Sequence, residues 1–265
     1  YEELGIEFLT KLDGMFGLAL FDVPRRRLII ARDPLGIKPV YLARRGASVA
    51  FASEAKSLLR LPWLSAQLNE QALPGYLSLG YVNGPESIFR GIEKLAPATA
   101  LILEGGRQQL HKYWRLPAGQ DHARSAPDWV AAVREGIQRA VRAQMVSDVP
   151  VGAFLSGGID SSAVVAAMSR ESGQPIRTYS IGFAGSSGSR LYNELPFARR
   201  IAEQFGTHHR EIIVRPDVAN LLPTLIWHLD EPMADAAFIT TYLVSKFARE
   251  DVKVILSGVG GDELF

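Results

Sequence analysis

No cysteine occurs among the 265 residues of this chain. That absence excludes disulfides, thiolate metal sites and thiol nucleophiles from these residues, and it fits a reducing compartment. An excess of charge of either sign is also lacking: 29 Lys and Arg stand against 28 Asp and Glu, a formal net charge of +1. Such a balance offers no electrostatic footprint for nucleic acid or an acidic membrane surface. No apolar run approaches the roughly 18 residues a membrane helix needs. The opening YEELGIEFLT has neither the basic start nor the apolar stretch of a secretion signal. We expect a soluble, cytoplasmic protein with no nucleic-acid and no membrane partner. The chain begins on Tyr1 and stops at Phe265, directly after a glycine-rich acidic motif, so it is expected to be an excerpt of a longer protein.

What is present suffices for real cores, with 47% hydrophobic residues against 22% charged. The length fits two modest domains. In the first half, MFGLALFD (15–22) and RLIIARD (27–33) flank VPRR and predict a hairpin, as do VYLARR (40–45) and SVAFAS (48–53) around a glycine. ATALILEGGRQQLHKYW (98–114) is the clearest case, because Gly105-Gly106 supplies the positive φ angles of a tight turn. Helical pieces lie between: EAKSLLRL after Ser53 as N-cap, and NEQALPGYLSLGY, which Pro74 and Gly75 are expected to interrupt. This half reads as α+β. LPAGQDHARSAPD (116–128) has the composition of a linker and ends it.

Downstream, strands and helices alternate: a helix over 128–146, strand VGAFL, a helix over 161–171, strand TYSIGF, helix ELPFARRIAEQF, strand HREIIV, helical stretches 216–229 and 237–249, and strand VKVIL. Alternation with continuous apolar strands predicts an α/β fold, a parallel sheet covered by helices on both faces. Ligands of such sheets bind at the carboxyl ends of strands, where SGGIDSS (156–162) sits. Gly157 and Gly158 let backbone approach a ligand without a Cβ in the way. Ser156, Ser161 and Ser162 add hydroxyl donors, and the next helix adds its positive end. The chemistry these residues suit is phosphate binding.

Asp160 suits phosphate only with a cation between them, and Mg²⁺ takes one or two protein carboxylates while bridging phosphate oxygens. A second acid is therefore expected. VILSGVGGDE (254–263) supplies Asp262 and Glu263 after another apolar run and glycine turn. An ordinary crossover can also use Gly-Gly as a turn and Asp or Ser as a cap, but the whole run in strand–loop–helix context, with a second acidic loop, favours a site. The loop is not a Walker A motif, since no lysine is placed to reach the outer phosphates. It suits holding pyrophosphate as a leaving group.

LSGGIDSS resembles the pyrophosphate loop of the ATP pyrophosphatases, and the whole chain resembles glutamine-hydrolysing asparagine synthetases and related amidotransferases. LDGMFGLALFD, RDPLGIKPVY and FASEAKSLL are similar to the later part of that family's glutaminase domain, and SDVPVGAFLSGGIDSS, TYSIGF, FGTHHREI, DEPMAD and LSGVGGDELF to its synthetase domain. The resemblance implies a partial N-terminal-nucleophile glutaminase domain over 1–115 and a partial ATP-binding domain over 116–265, with a doubly wound sheet of the ATP pyrophosphatase type. It implies ATP, Mg²⁺, glutamine and aspartate as cofactors and substrates, ammonia passing to an aspartyl-AMP, and a homodimer among the assemblies allowed. By motif match, Phe154 and Ile181 lie against the nucleotide, Ser156, Gly157, Gly158, Asp160, Ser161 and Ser162 hold pyrophosphate, and Ser257 and Gly258 contact the nucleotide by backbone. Asp160 and Asp262 are the metal candidates, and Asp262 and Glu263 the catalytic ones.

This chain departs from the family's pattern at two points. The family's glutaminase uses an N-terminal cysteine, which these residues lack, and Val259 stands where the best-known asparagine synthetases have a glutamate. With Val259 there, either a neighbouring acid such as Asp262 or Glu263 substitutes or the acceptor is another carboxylate; a non-catalytic relative that keeps the nucleotide loop as a binding module is a separate alternative. His208 and His209, adjacent on a strand, are expected to point to opposite faces and not to hold a metal together. RDPLGIKP (32–39) is expected to be structural. Asp230, Glu231 and Asp235 either face an acceptor pocket or cap the helix beginning near Ala237.

Overall fold

The computed structural model describes residues 1–119, 123–184, 193–215 and 217–264. Residues 120–122 of the expected linker, residue 216 at the head of an expected helix and Phe265 lie outside the described residues. The chain forms two compact units, Tyr1–Gly119 with Ile226–Asp235, and Gln120–Leu225 with Ala236–Phe265.

The first unit contains β1 (Gly17–Asp22), β2 (Arg27–Arg32), β3 (Tyr41–Arg45), β4 (Ser48–Ala52), α1 (Ala55–Leu58), α2 (Leu73–Leu79), β5 (Ile92–Lys94), β6 (Thr99–Glu104) and β7 (Arg107–Lys112). One sheet runs β1-β2-β6-β7 and the other β4-β3-β5, with antiparallel pairing throughout. Ile30 and Leu101 of the first sheet share a buried cluster with Leu42 of the second. The turn between β6 and β7 places Gly105 at φ 57° and Gly106 at φ 75°, the pair of positive angles a two-residue hairpin needs.

Two local expectations are corrected here. The N-cap of α1 is Glu54, not Ser53, and it makes no side-chain cap bond. Pro74 does not interrupt a helix but sits in the first turn of α2, where a missing N–H costs nothing, and Gly75 is carried inside that helix.

RDPLGIKP closes on itself. Asp33, 1% exposed, accepts from the backbone N–H groups of Ile37 and Lys38, both at 2.9 Å, and Arg32 donates to the carbonyls of Lys38 and Leu95 at 2.9 and 2.8 Å. Each side chain satisfies backbone groups of the turn itself or of Leu95, as a structural turn requires.

The second unit holds α3 (Ala126–Gln144), β8 (Val151–Phe154), α4 (Ile159–Glu171), β9 (Arg177–Phe183), α5 (Leu195–Phe205), β10 (His208–Val214), α6 (Val218–Leu229), whose last turn is grouped with the first unit, α7 (Ala237–Ala248) and β11 (Val254–Leu256). Its sheet is parallel in the order β10-β9-β8-β11. Side chains alternate across it. Ala153, Leu155 and Leu256 pack with Val141 of α3, Val165 and Met168 of α4, and Ala198 and Ala202 of α5. Tyr179 meets Val244 and Ala248 of α7 on the other side. Helices thus cover both faces of a mixed α/β unit, as continuous apolar strands require. Among the described residues, no helix is long and apolar enough to cross a membrane.

Candidate functional site

From β8 the chain steps outward to β9 and β10, then returns to set β11 on the other side of β8, with Leu256 opposite Ala153. The order therefore reverses between β8 and β11. That reversal opens the crevice in which parallel sheets bind ligands, and the loops leaving these two strands are the glycine-rich ones.

The first loop, 155–158, turns at Gly157, whose φ is +86°. A Cβ there would lie 2.5 Å from the Phe197 carbonyl carbon and 2.6 Å from the Ala198 nitrogen, so only glycine fits against α5. Gly158 is different: at φ −69°, ψ 167° it is the extended N-cap of α4, and an added Cβ would meet only Ser156 Oγ, at 3.3 Å. Gly158 has no side chain with which to cap the helix, so its first turn carries no side-chain cap. The helix begins at Ile159, two residues before the expected 161, which puts Asp160 and Ser161 inside that first turn.

The hydroxyls form a small knot. Ser156 Oγ and Ser161 Oγ lie 2.9 Å apart, Gly158 N–H donates to Ser156 Oγ at 3.2 Å, and Ser156 N–H donates to Ser161 Oγ at 3.3 Å. Ser161 is only 9% exposed, and Ser162 Oγ is buried with no hydrogen-bond partner among the described residues. Ile159, by contrast, is 88% exposed.

The second loop, 257–262, lies directly against this turn. A Cβ on Gly258 would come within 2.5 Å of Ser161 N and 2.7 Å of the Asp160 carbonyl carbon. One on Gly261 would come within 2.6 Å of Asp160 Cγ and 2.9 Å of each of its carboxylate oxygens. The Asp160 carboxylate therefore rests on the backbone immediately before Asp262. Asp262 and Glu263 are exposed. Val259 N–H donates to Ser257 Oγ at 3.3 Å, and the Val259 side chain is 88% exposed. Gly261 is not among the site residues that the sequence predicts. The repeated glycine in GVGGD was its only signal.

Phe154 and Ile181 are partly buried and pack against the Tyr179–Val244–Ala248 cluster on the α7 face. The histidine pair diverges: His208 is exposed, whereas His209 is half-buried between Thr178 Oγ1, 2.9 Å from Nδ1, and Glu211, 3.2 Å from Nε2. Burial lowers the His209 pKa, and nearby Glu211 only partly opposes this. Among the described residues, no group of three or more His, Cys, Asp or Glu could hold a metal.

Asp230 and Glu231 of DEPMAD do not cap the helix near Ala237. Asp230 accepts from Ala55 N–H at 2.7 Å and so caps α1, while Glu231 accepts from Ile88 N–H at 2.9 Å. The N-cap of α7 is Ala236, without a side-chain cap bond. Local spacing could not reveal this, because the partners are remote in sequence.

A family model for asparagine synthase matches residues 132–265, and one for a glutamine amidotransferase domain matches residues 1–114. A Methanocaldococcus jannaschii protein is 36% identical over 274 residues, covering 100% of this chain and 52% of its own length. The glutamine-hydrolyzing asparagine synthetase 1 of Bacillus subtilis is 34% identical over 266 residues, with 100% and 41% covered. Amidase chry2 of Gibberella zeae is 28% identical over 288 residues, again with 100% and 41% covered. The chain spans about half the length, or less, of these curated relatives. Among solved structures, an NH3-dependent NAD synthetase from Campylobacter jejuni aligns over 51% of this chain and 58% of that one at 18% identity, with a TM-score of 0.35. A family model that reaches over half of the residues, including both loops of the crevice, decides the matter: the chain belongs to the asparagine synthase family.

Proposed function

We propose that the chain is part of a ligase that uses ATP and glutamine to convert aspartate to asparagine by way of an aspartyl-adenylate, releasing AMP and pyrophosphate. The observation that carries this reading is the meeting of the two glycine loops at the strand-order reversal, Gly258 and Gly261 lying on Asp160 and Ser161. We read the sheet as the doubly wound ATP pyrophosphatase type, and residues 1–115 as part of an N-terminal-nucleophile glutaminase preceding an ATP-binding domain over 116–265.

The residues divide the work by their chemistry. The uncapped start of α4 and the turn at Gly157 present N–H groups to an anion, and Ser156, Gly158, Ser161 and Ser162 complete the pyrophosphate cradle. With no lysine aimed at the outer phosphates, the cradle holds a leaving group and transfers none. Phe154 and Ile181 flank the nucleotide, and Ser257 and Gly258 meet it through backbone.

The carboxylate of Asp160, seated on Gly261, fits a hard cation that takes few protein ligands. Asp160 and Asp262 would hold Mg²⁺, which when bound neutralises phosphate charge. Asp262 and Glu263, exposed at the mouth, stand as the acids nearest an acceptor.

ATP–pyrophosphate exchange by the whole protein tests the reading. Exchange that depends on aspartate supports it, and exchange indifferent to every carboxylate defeats it. A second reading, a different carboxylate acceptor, is favoured by Val259, an apolar side chain 88% exposed in the loop that carries the acids. Exchange that ignores aspartate but responds to another carboxylate would select it.

A further inference from the structure

Ile226–Asp235 lies in the sequence matched by the asparagine synthase model, yet it packs as part of the first unit. Two consecutive carboxylates hold it. The Asp230 side chain, 5% exposed, caps α1 through Ala55 N–H and pairs with Lys56 Nζ at 2.8 Å. The Glu231 side chain, 12% exposed, pairs with Lys94 Nζ at 2.6 Å, accepts from the Tyr41 hydroxyl at 3.2 Å, and accepts from Ile88 N–H at 2.9 Å. Tyr41 and Lys94 are register partners on β3 and β5, so one carboxylate clasps both strands. Main chain adds to this: Ala234 N–H donates to the Gly80 carbonyl at 2.7 Å, and Met233 bridges Tyr81. Asp230 holds φ +64°, a left-handed conformation that Asp and Asn adopt more readily than other side chains.

We infer that Ile226–Asp235 is a strap that completes the first unit, anchored by Asp230 and Glu231. The residues matched by the amidotransferase model reach their final packing only when a segment from the later part of the synthase-matched sequence is in place. The anchors are unequal in kind. Lys56 keeps Glu54 at 3.1 Å if Asp230 is removed, whereas Lys94 has no second carboxylate partner among the described residues. Loss of Glu231 alone leaves the partly buried Lys94 ammonium, 14% exposed, with the Val82 carbonyl but without counter-charge, the costly half of a broken pair. The consequence is an assembly order in which the first unit cannot close before the chain has been made through Asp235.

A protease site placed between Gly119 and Ala123 of the whole protein, and cut after folding, tests the strap. Residues 1–119 are expected to co-elute with the remainder on gel filtration, and Asp230→Ala with Glu231→Ala is expected to release them. In the uncut protein, Glu231→Ala should speed hydrogen exchange of β3 and β5 amides about 100-fold while β8 and β9 keep their protection. Lys94→Met combined with Glu231→Leu removes both charges and should restore most of that protection, which separates loss of the pair from general damage. Four results would overturn the inference: release in the unsubstituted cut protein, retention after the double substitution, unchanged β3 and β5 exchange in Glu231→Ala, or equal acceleration in both units.

Discussion

Gly157 and Gly158 are neighbours with different duties. An alanine at Gly157 must adopt φ +86° and push its Cβ into the backbone of Phe197, where no side-chain rotation can relieve it. Gly157→Ala should therefore lower stability by about 2–4 kcal/mol, combining backbone strain with overpacking. Gly158→Ala meets only the movable Ser156 hydroxyl and should cost under about 1 kcal/mol. Thermal unfolding of the two variants checks the contrast, and equal costs would mean that the turn is not held by α5. Asp160→Asn keeps the shape of the side chain while removing its charge. It should abolish ATP–pyrophosphate exchange in the whole protein and leave the circular dichroism spectrum unchanged. Full activity in that variant would remove Asp160 from the metal assignment.

At the scale of elements, α3 starts with a reciprocal cap. Ser125 Oγ accepts from Asp128 N–H at 3.4 Å, and Asp128 accepts from Ser125 N–H at 3.1 Å. Ser125→Ala should cost about 1 kcal/mol in urea unfolding, the usual worth of such a cap. The β9–β10 pair carries a pH dependence. His209 on β10 has a pKa lowered by burial, so between its folded value and the unfolded value of about 6.5 the unfolded chain binds more protons. Stability is then fully present above about pH 6.5 and falls as pH drops through that window towards the folded value. A His209→Asn variant should lose this part of the slope when unfolding is followed across pH 5 to 7.5. An unchanged slope would assign the effect to other groups.

Local signals made most elements legible. The Gly105-Gly106 hairpin, the β8–loop–α4 unit and the helix over 237–248 follow from turn chemistry and hydrophobic period, and their observed bounds differ from expectation by a residue or two. The cap of α1 was not legible in this way. Ser53 has capping chemistry but stands one residue before the N-cap, and Asp230 supplies the carboxylate that Ala55 N–H needs, from a different stretch of the chain. A remote side chain can outcompete a local one because burial strengthens its hydrogen bond and local spacing carries no trace of it.

For the whole molecule, each unit has cores of its own. Met168, 0% exposed, sits in the cluster that joins α3, α4 and α5 to the sheet. Met168→Ala should remove about 2–5 kcal/mol from the second unit. In hydrogen exchange, β8 and β9 should lose protection while β2 and β6, packed around Ile29, Ile30 and Leu101, retain theirs. Uniform loss through both units would show that they unfold as one.

The amino-acid order by itself determined the strand–loop–helix unit around the glycine-serine loop at 156–162 and the second acidic loop at 257–263, because periodicity, glycine turns and helix starts are properties of neighbouring residues. Tertiary structure alone decided that β11 lies beside β8, so that Gly258 and Gly261 rest on Asp160 and Ser161, and that Asp230 and Glu231 belong with Lys56 and Lys94. Strand order and ion-pair partners are set by which apolar faces can be buried together and which charges can be neutralised once they are. Those are conditions on the folded whole, and no short stretch of sequence contains them.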